Sequence, residues 1–395
     1  MDNITHSLIG GAVAELALGR LPEERRKALR PVFWSASVLA SNAPDIDIII
    51  PRILNQGQID YLLHHRGHTH TWLLSVLLSL LCWLLVRPWT RSWEQREKVL
   101  FAGLALFAGL LHVFADGWNI YGVHPLWPFH NGWYFGDAVF ILEPLLWLLL
   151  APALAFTMAG RARWILLGPL ALLLVLAWNT SLLPLTLKVG LTLGVAAAPL
   201  WRRWPRRVAV AAAGATLVVA GFHALSLHVR ARFHSLTPGQ AWKEVALTPF
   251  PAHPLCWNVF GVRVVGGEYR AVIGTVSAGL VRADSCPPLR HVTPTAPLRA
   301  PLDLPSENGA VAWFGEFRAP VEELRSLARE SCWARAALRF HRVPVWSKSG
   351  DRVILGDLRF DREPGLGFSE IVIPENGCPE GVPSWTPPTR GWMGE

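Results

Sequence analysis

The stretch that decides the fold reads VLFAGLALFAGLLHVFAD over residues 99–116. Its first 17 residues, Val99–Ala115, contain no Lys, Arg, Asp or Glu. Two longer runs of this kind follow, 24 residues at Trp164–Leu187 and 22 at Val208–Val229. Because about 20 apolar helical residues cross a bilayer, these runs predict transmembrane helices. The alternative, a large buried helical core, is disfavoured by the number of runs and by the Arg-rich segments between them.

We therefore predict a mainly α fold: a polytopic helical membrane domain at residues 1–228, followed by a small α+β soluble domain at residues 229–395. The membrane domain is expected to have about eight apolar helices, at 4–19, 31–50, 70–86, 99–117, 138–158, 164–179, 184–200 and 207–228. Pro44 must kink or end the second of them, because proline lacks the backbone N–H that a helix interior requires.

The charge distribution supports a membrane protein and argues against a nucleic-acid partner. Only 17% of the residues are charged, whereas soluble domains average roughly 25%. The net charge of +8 comes from basic residues clustered in short segments, at 20–30, 87–98, 159–163 and 201–207. With eight crossings these segments share one side, which the positive-inside rule makes the cytoplasm. The C-terminal domain is then extracytoplasmic.

Histidines and aspartates gather at the other ends of the same helices. Eight of the 14 histidines precede residue 131: His6, His64, His65, His68, His70, His112, His124 and His130. His112 and Asp116 are one helical turn apart, so both project from one face. Imidazole and carboxylate are ligands that Zn²⁺, Mn²⁺ and Fe²⁺ accept. We predict one extracytoplasmic site for a divalent metal, Zn²⁺ first and Mn²⁺ or Fe²⁺ as alternatives, held by His6, Asp45, His65, His70, His112 and Asp116.

Three further side chains are candidates for catalysis. Asp47 either adds a ligand or acts as the base that orients a water molecule. Arg66 is suited to binding an anionic group of the substrate, and His68 lies in the same histidine-rich run. The alternative is that each ionisable group is a buried structural residue, or that the run binds metal adventitiously. The joint pattern, drawn from several separate stretches, favours a metal site.

Four motifs carry a resemblance to a known family. They are Met1-Asp2-Asn3-Ile4-Thr5-His6, Asn42-Ala43-Pro44-Asp45-Ile46-Asp47, His65-Arg66-Gly67-His68-Thr69-His70, and His112 through Asp116 followed by Asn119, Tyr121 and Gly122. The sequence thereby resembles the bacterial membrane-bound, metal-dependent hydrolases, the YdjM-like group of inner-membrane proteins, over about residues 1–145. It is more distantly similar to zinc-dependent phospholipase C, which implies a phosphoesterase, although a His-x3-Glu ligand step is not evident here.

The C-terminal domain has the pattern of strands with one helix. A hairpin is expected from Val259–Val265 and Tyr269–Val276 around Gly266-Gly267, with further strands at Ala310–Phe317, Val353–Phe360 and Phe368–Ile373, a helix at Pro320–Arg335 and an irregular tail from Pro374. Four cysteines lie here: Cys256, Cys286, Cys332 and Cys378. In an exported domain they predict at least one disulfide, and the alternative is four unpaired thiols.

The function that these features favour is a membrane-bound metal-dependent hydrolase. Its expected substrate is a phosphoester or other ester of a lipid or lipid-linked molecule, because the site lies at the bilayer surface. The runner-up is a non-catalytic metal-binding membrane protein, such as a sensor, transporter or scaffold. A transporter should carry ionisable residues near the middle of the bilayer, whereas here they gather at one face.

Overall fold

A computed structural model describes the chain at residues 1–287, 297–301, 303–304, 309–350, 352–361 and 366–384. Helices form the part up to Leu236, and two sheets with two helices form the part from Trp242. The predicted irregular tail from Pro374 contains no helix or strand as far as residue 384. The rest of that tail lies outside the described residues.

The helical part contains ten α-helices among its described residues. They are α1 (Asn3–Leu18), α2 (Glu23–Asn42), α3 (Ile50–Leu54), α4 (Gln58–His64), α5 (Trp72–Val86), α6 (Gln95–Asp116), α7 (Pro144–Ala155), α8 (Gly160–Asn179), α9 (Leu185–Ala196) and α10 (Arg207–Leu236). The last of them continues past the expected end at residue 228, because Val229 and Phe233 pack on the sheet that follows.

Four helical segments are long and apolar enough to cross a bilayer, judged by the length and composition of the described residues. They are Trp72–Thr90, Gln95–Asp116, Gly160–Asn179 and Arg207–Leu236. The prediction of about eight apolar helices is therefore not supported. Helices α7 and α9 are apolar, but their 12 residues each span only about 18 Å of a bilayer core about 30 Å thick.

The second helix also departs from the prediction, whereas the first has the predicted length of 16 residues and lies one residue earlier. Helix α2 begins at Glu23, so it takes in the charged residues that were expected in a loop. Arg25 pairs with Glu97 on α6, and Arg30 pairs with Glu15 on α1. Pro44 acts as predicted: α2 ends at Asn42, and the chain continues as a 3₁₀ helix over Ala43–Ile49.

Small residues let the first helices approach each other closely. The hydroxyl of Ser37 on α2 donates to the Gly10 carbonyl of α1 at 2.7 Å. A Cβ atom at Gly109 of α6 would lie only 2.0 Å from the Ser79 hydroxyl of α5. Such small-residue contacts bring helix backbones together in membrane proteins. They hold α1 against α2 and α5 against α6.

Two antiparallel sheets form the C-terminal part. The first has the order β1-β2-β3-β4, from β1 (Trp242–Phe250), β2 (His253–Val265), β3 (Glu268–Ser277) and β4 (Val311–Pro320). The second has the order β5-β6-β7, from β5 (Pro344–Ser349), β6 (Arg352–Asp357) and β7 (Ile371–Ile373). The predicted hairpin is confirmed, with Gly266 and Gly267 both at positive φ in its turn. The predicted single helix is two, α11 (Val321–Glu330) and α12 (Cys332–Ala337), which are separated at Ser331.

All four cysteines of the C-terminal part are paired. One disulfide joins Cys256 to Cys286, and the other joins Cys332 to Cys378. The prediction of at least one disulfide is therefore confirmed, and the structure has two. The second disulfide attaches the tail to α12, and Glu380 of that tail exchanges hydrogen bonds with Gln56 of the helical part.

Buried arginines join the C-terminal part to the helical part. The Arg342 guanidinium lies 2.8 Å from Asp137 Oδ1 and 2.8 Å from Glu244 Oε1. Arg359 donates to the Ile120 carbonyl at 2.6 Å and pairs with Asp357. Burial would raise the pKa of Asp357, but the Arg359 charge and hydrogen bonds outweigh it and lower that pKa to about 2. Because Ile120 follows α6 closely, this contact holds the segment beside the aspartate at the end of α6.

Candidate metal centre

The ends of two α-helices, α1 and α6, and two short 3₁₀ helices meet at one point. His6 stands in the first turn of α1, which Asp2 caps by accepting from the Thr5 backbone. His112 and Asp116 are one turn apart at the end of α6. The 3₁₀ helix Ala43–Ile49 supplies two aspartates, and the 3₁₀ helix His68–His70 supplies a histidine. Residues from four distant stretches of the chain therefore share one buried site.

Four of these side chains form a set that can hold one ion: Asp45, His70, His112 and Asp116. His70 Nε2 lies 3.3 Å from Asp45 Oδ1, 3.1 Å from Asp116 Oδ2 and 3.0 Å from His112 Nε2. His112 Nε2 lies 3.6 Å from Asp45 Oδ1 and 3.5 Å from Asp116 Oδ2. Four ligands at about 2.1 Å from a tetrahedral ion are separated by about 3.4 Å. The observed separations match that spacing.

The outer nitrogens of both histidines are engaged, which assigns their protons. His112 Nδ1 donates to the Ser41 carbonyl at 2.8 Å. His70 Nδ1 lies 3.1 Å from Asp47 Oδ2. In the neutral form with the proton on Nδ1, each histidine would present an unprotonated Nε2 to the set, and the two Nε2 atoms lie 3.0 Å apart. Two lone pairs at that distance repel unless a cation or a proton lies between them.

Asp116 is held in place by residues outside this set. Its Oδ1 accepts from His6 Nε2 at 3.2 Å and from the Met1 backbone nitrogen. Its Oδ2 is buried and accepts no hydrogen bond from the described residues, although Arg66 Nε lies 3.1 Å away. The His6 ring stacks on His112 at 3.8 Å. His6 thus orients a ligand, and the free oxygen of Asp116 is directed into the set.

Arg66 is buried rather than available at the surface. Its guanidinium donates to the Asp116 carbonyl and to Asn119 Oδ1, and it lies 4.6 Å from the Tyr121 ring centroid. Its backbone is in the left-handed region, with φ +59, and its amide donates to Asp47 Oδ2. These contacts make Arg66 a positioning residue for Asp116 and Asp47.

Asp47 connects several residues of the histidine-rich run. It also accepts from Thr69 Oγ1 at 2.9 Å, and its Oδ1 lies 3.0 Å from His65 Nδ1. A second set, whose ligand atoms also lie close enough together to hold a metal, consists of Asp45, Asp47 and His65. Since Asp47 already binds the outer nitrogen of His70, its geometry suits orienting that ligand.

The two aspartates of the 3₁₀ helix Ala43–Ile49 stay ionised. Burial would raise the pKa of Asp45 and of Asp47, but hydrogen bonds and charges from histidines outweigh it and hold both pKa values well below the usual range. Burial lowers the pKa of His65. The site therefore offers anionic carboxylates at neutral pH.

One predicted site residue, His68, lies outside the cluster. Two groups that the sequence did not indicate contribute to the cluster. His68 packs edge-on against Trp127, with ring centroids 4.6 Å apart. The missed contributors are the Ser41 carbonyl, which fixes His112, and Asn119, which fixes Arg66. A backbone carbonyl gives no sequence signal. Asn119 belongs to the fourth motif, but nothing in the sequence shows its partner.

Replacing Asp47 with Asn is expected to lower metal affinity by about 10- to 100-fold, because the negative partner that orients His70 is lost. Asp60→Asn is the matched control, since Asp60 is equally buried but binds Gln56 away from the cluster. Calorimetric titration with Zn²⁺ measures the metal affinity of both variants. Equal affinities in the two variants would contradict the role given to Asp47.

Comparison with known proteins supports a membrane protein. Residues 1–184 match the family model described as YdjM inner membrane protein. The chain is 27% identical over 177 residues to "Uncharacterized protein YfhP" of Bacillus subtilis (strain 168). That alignment covers 44% of this chain and 52% of the relative, so it spans about half the length of each. No solved structure matches the chain.

The matched region contains every residue of the Asp/His cluster. Neither match shows the metal-dependent hydrolase activity or the likeness to zinc-dependent phospholipase C, and both stay predictions. The family match and the four long apolar helical segments agree with each other. Over residues 1–184 this chain is similar to the YdjM inner membrane proteins.

Proposed function

We propose that the helical part is a membrane-bound metal-dependent hydrolase. The observation that carries this proposal is the pair of facing Nε2 atoms of His70 and His112, with Oδ1 of Asp45 and Oδ2 of Asp116 at 3.1–3.6 Å from them. Zn²⁺ suits this set of two imidazoles and two carboxylates, and Mn²⁺ or Fe²⁺ would accept it. A metal here would also compensate the burial of two carboxylates.

The chain's own residues have defined tasks in this proposal. A divalent metal, when bound, polarises an ester or phosphoryl oxygen and lowers the pKa of water toward ~7. Asp47 and the Ser41 carbonyl accept hydrogen bonds from Nδ1 of the two histidines and so leave each Nε2 unprotonated for the metal. His6 and Arg66 fix Asp116. His65, which is only 12% exposed and lies against Asp47, is the group nearest solvent for moving a proton.

The proposed substrate class is a phosphoester or other ester of a lipid or lipid-linked molecule. The support is location: the cluster lies at one end of the candidate spans α5 and α6. Beside it, the 3₁₀ helix Ala43–Ile49 buries Asp45 and Asp47 but exposes Ile46, Ile48 and Ile49. An apolar surface next to a polar site is what a lipid substrate requires.

The test is metal content together with turnover, measured on the detergent-purified full chain. The proposal expects Zn²⁺ at about one ion per chain and hydrolysis of bis(p-nitrophenyl) phosphate or of a short-chain p-nitrophenyl ester, both abolished by a chelator. A bound metal with no turnover of either ester or of mixed membrane phospholipids would favour the sensor or scaffold. Absence of metal would refute both the hydrolase and the metal-binding sensor or scaffold.

We also propose that the C-terminal domain and the cluster are extracytoplasmic. The basic residues of 20–30, 87–98, 159–163 and 201–207 lie at the helix ends opposite the cluster. Disulfides such as Cys256–Cys286 and Cys332–Cys378 persist in oxidising compartments. Alkaline phosphatase fused after residue 384 should be active, and alkylation without reduction should leave these four cysteines unmodified. An inactive fusion together with four alkylated cysteines would show that the C-terminal domain lies in the cytoplasm.

A further inference from the structure

An apolar groove of about 990 Å³ lies beside α6 and does not include the metal-centre residues. Its walls are α1, α6 and α10, α7 forms its floor, and the loop after α6 closes one end. Representative lining residues are Ile9, Leu16, Phe107, Phe114, Ala215 and Val219. The groove is lined almost wholly by carbon atoms, so its occupant must be apolar over most of its length.

The groove has the length of one leaflet of a bilayer. On α6 it extends from Phe107 to Gly117, and on the parallel α10 from Ala212 to His223. These stretches contain ten and eleven steps from residue to residue, which at 1.5 Å each give about 15 Å. The hydrocarbon core of a bilayer is about 30 Å thick, so each leaflet contributes about 15 Å. Both helices are candidate spans, which aligns the groove with the lipid chains.

The two ends of the groove differ in chemistry. One end is apolar, with Leu16, Phe107 and Ala212. The other end has His130, Tyr134 and His223, and the indole nitrogen of Trp118 there is buried with no hydrogen-bond partner among the described residues. Histidine, tyrosine and tryptophan suit the level of lipid headgroups. An occupant should therefore have one polar end and one hydrocarbon end.

The groove is continuous with the surface that faces the bilayer. Phe107 and Phe114 on its rim are 54% and 57% exposed, and Leu217 on the outer face of α10 is 73% exposed. A membrane lipid can therefore enter from the side without leaving the bilayer.

We propose that this groove binds one hydrocarbon chain of a membrane lipid, with the lipid's polar group at the His130, Tyr134 and His223 end. That end is level with the metal centre, since Gly117 directly follows Asp116. The proposal rests on the membrane location and not on metal or hydrolysis, so it applies equally to metal-free protein.

The test uses the full chain in bilayers of phosphatidylethanolamine carrying a diazirine in one acyl chain, with a chelator present. After irradiation and detergent washing, peptide mass spectrometry locates the cross-links. We expect them on the α6 and α10 residues that line the groove. Val219→Trp fills the groove and should reduce labelling of Leu111 and Val113, which line the groove on α6, at least fivefold, because the indole occupies the space of the chain.

Leu217→Trp is the matched control, since it adds the same side chain to the outer face of α10 and should leave groove labelling unchanged. Thr216→Trp, at a more exposed lining position, replaces Val219→Trp if that variant does not fold. Labelling of the Leu217 face as strong as that of the groove would show ordinary surrounding lipid and overturn the proposal. So would groove labelling that neither filling variant reduces. Because no metal is involved, either result leaves the hydrolase proposal untouched.

Discussion

Replacing His112 with Ala is expected to lower the Zn²⁺ content of the purified protein from about one ion per chain to below about 0.1. The variant removes one of the four proposed ligands, and it also removes the ring on which His6 stacks. Loss of an outer partner of a ligand already lowers metal affinity by about 10- to 100-fold, so loss of a ligand should exceed that. Asp116→Ala should have the same effect, and ester hydrolysis should disappear with the metal.

His64→Ala is the control for this prediction. His64 is buried at the end of α4, next to the histidine-rich run, but its Nε2 has no hydrogen-bond partner among the described residues. Its replacement should leave the metal content unchanged. Elemental analysis after gel filtration gives the content, and thermal unfolding verifies the fold. Normal metal content in both His112→Ala and Asp116→Ala would exclude the proposed ligand set.

Replacing Arg342 with Met is expected to destabilise the protein by about 3 to 5 kcal/mol, because removing one partner of a buried ion pair leaves the other charge uncompensated. Asp137 is 1% exposed and, among the described residues, would retain only Arg230 as a charged partner, and Glu244 would lose Arg342. The midpoint of thermal unfolding should fall by about 6 to 20 °C.

Arg352→Met serves as the reference for this stability change. Arg352 begins β6 and is exposed, so the same substitution there should shift the midpoint by less than about 2 °C. Both variants can be followed by thermal unfolding in detergent. Equal midpoints would mean that the Asp137–Arg342 pair does not hold the C-terminal part against the helices.

The candidate site could be predicted from the sequence better than the helix count. His112 and Asp116 share a face because a helix repeats every 3.6 residues, and Pro44 ends α2 because it cannot donate a backbone hydrogen bond. Both arguments are local. Counting spans requires knowing where helices begin, and charged residues at the start of α2 pair with Glu15 and Glu97 instead of forming a loop.

The roles of residues within the site could not be read from residue type. Arg66 has the chemistry to bind an anionic substrate, but its partners, Asp116 and Asn119, are about 50 positions away and become its neighbours only in the fold. His6, expected as a ligand, contacts the outer oxygen of Asp116. Strand β1 also escaped prediction. It lies outside the Gly266-Gly267 turn that marked the hairpin of β2 and β3, so no comparable signal identified it.

X-ray absorption at the zinc edge, on the full chain purified in detergent with Zn²⁺ and then dialysed, tests whether two histidines and two aspartates hold one ion. We expect one ion per chain with four nitrogen or oxygen neighbours at about 2.0–2.1 Å, two of them imidazoles. We also expect that His112→Ala removes the signal. No retained zinc, a sulfur neighbour from Cys82, or an unchanged spectrum in His112→Ala would contradict this ligand set.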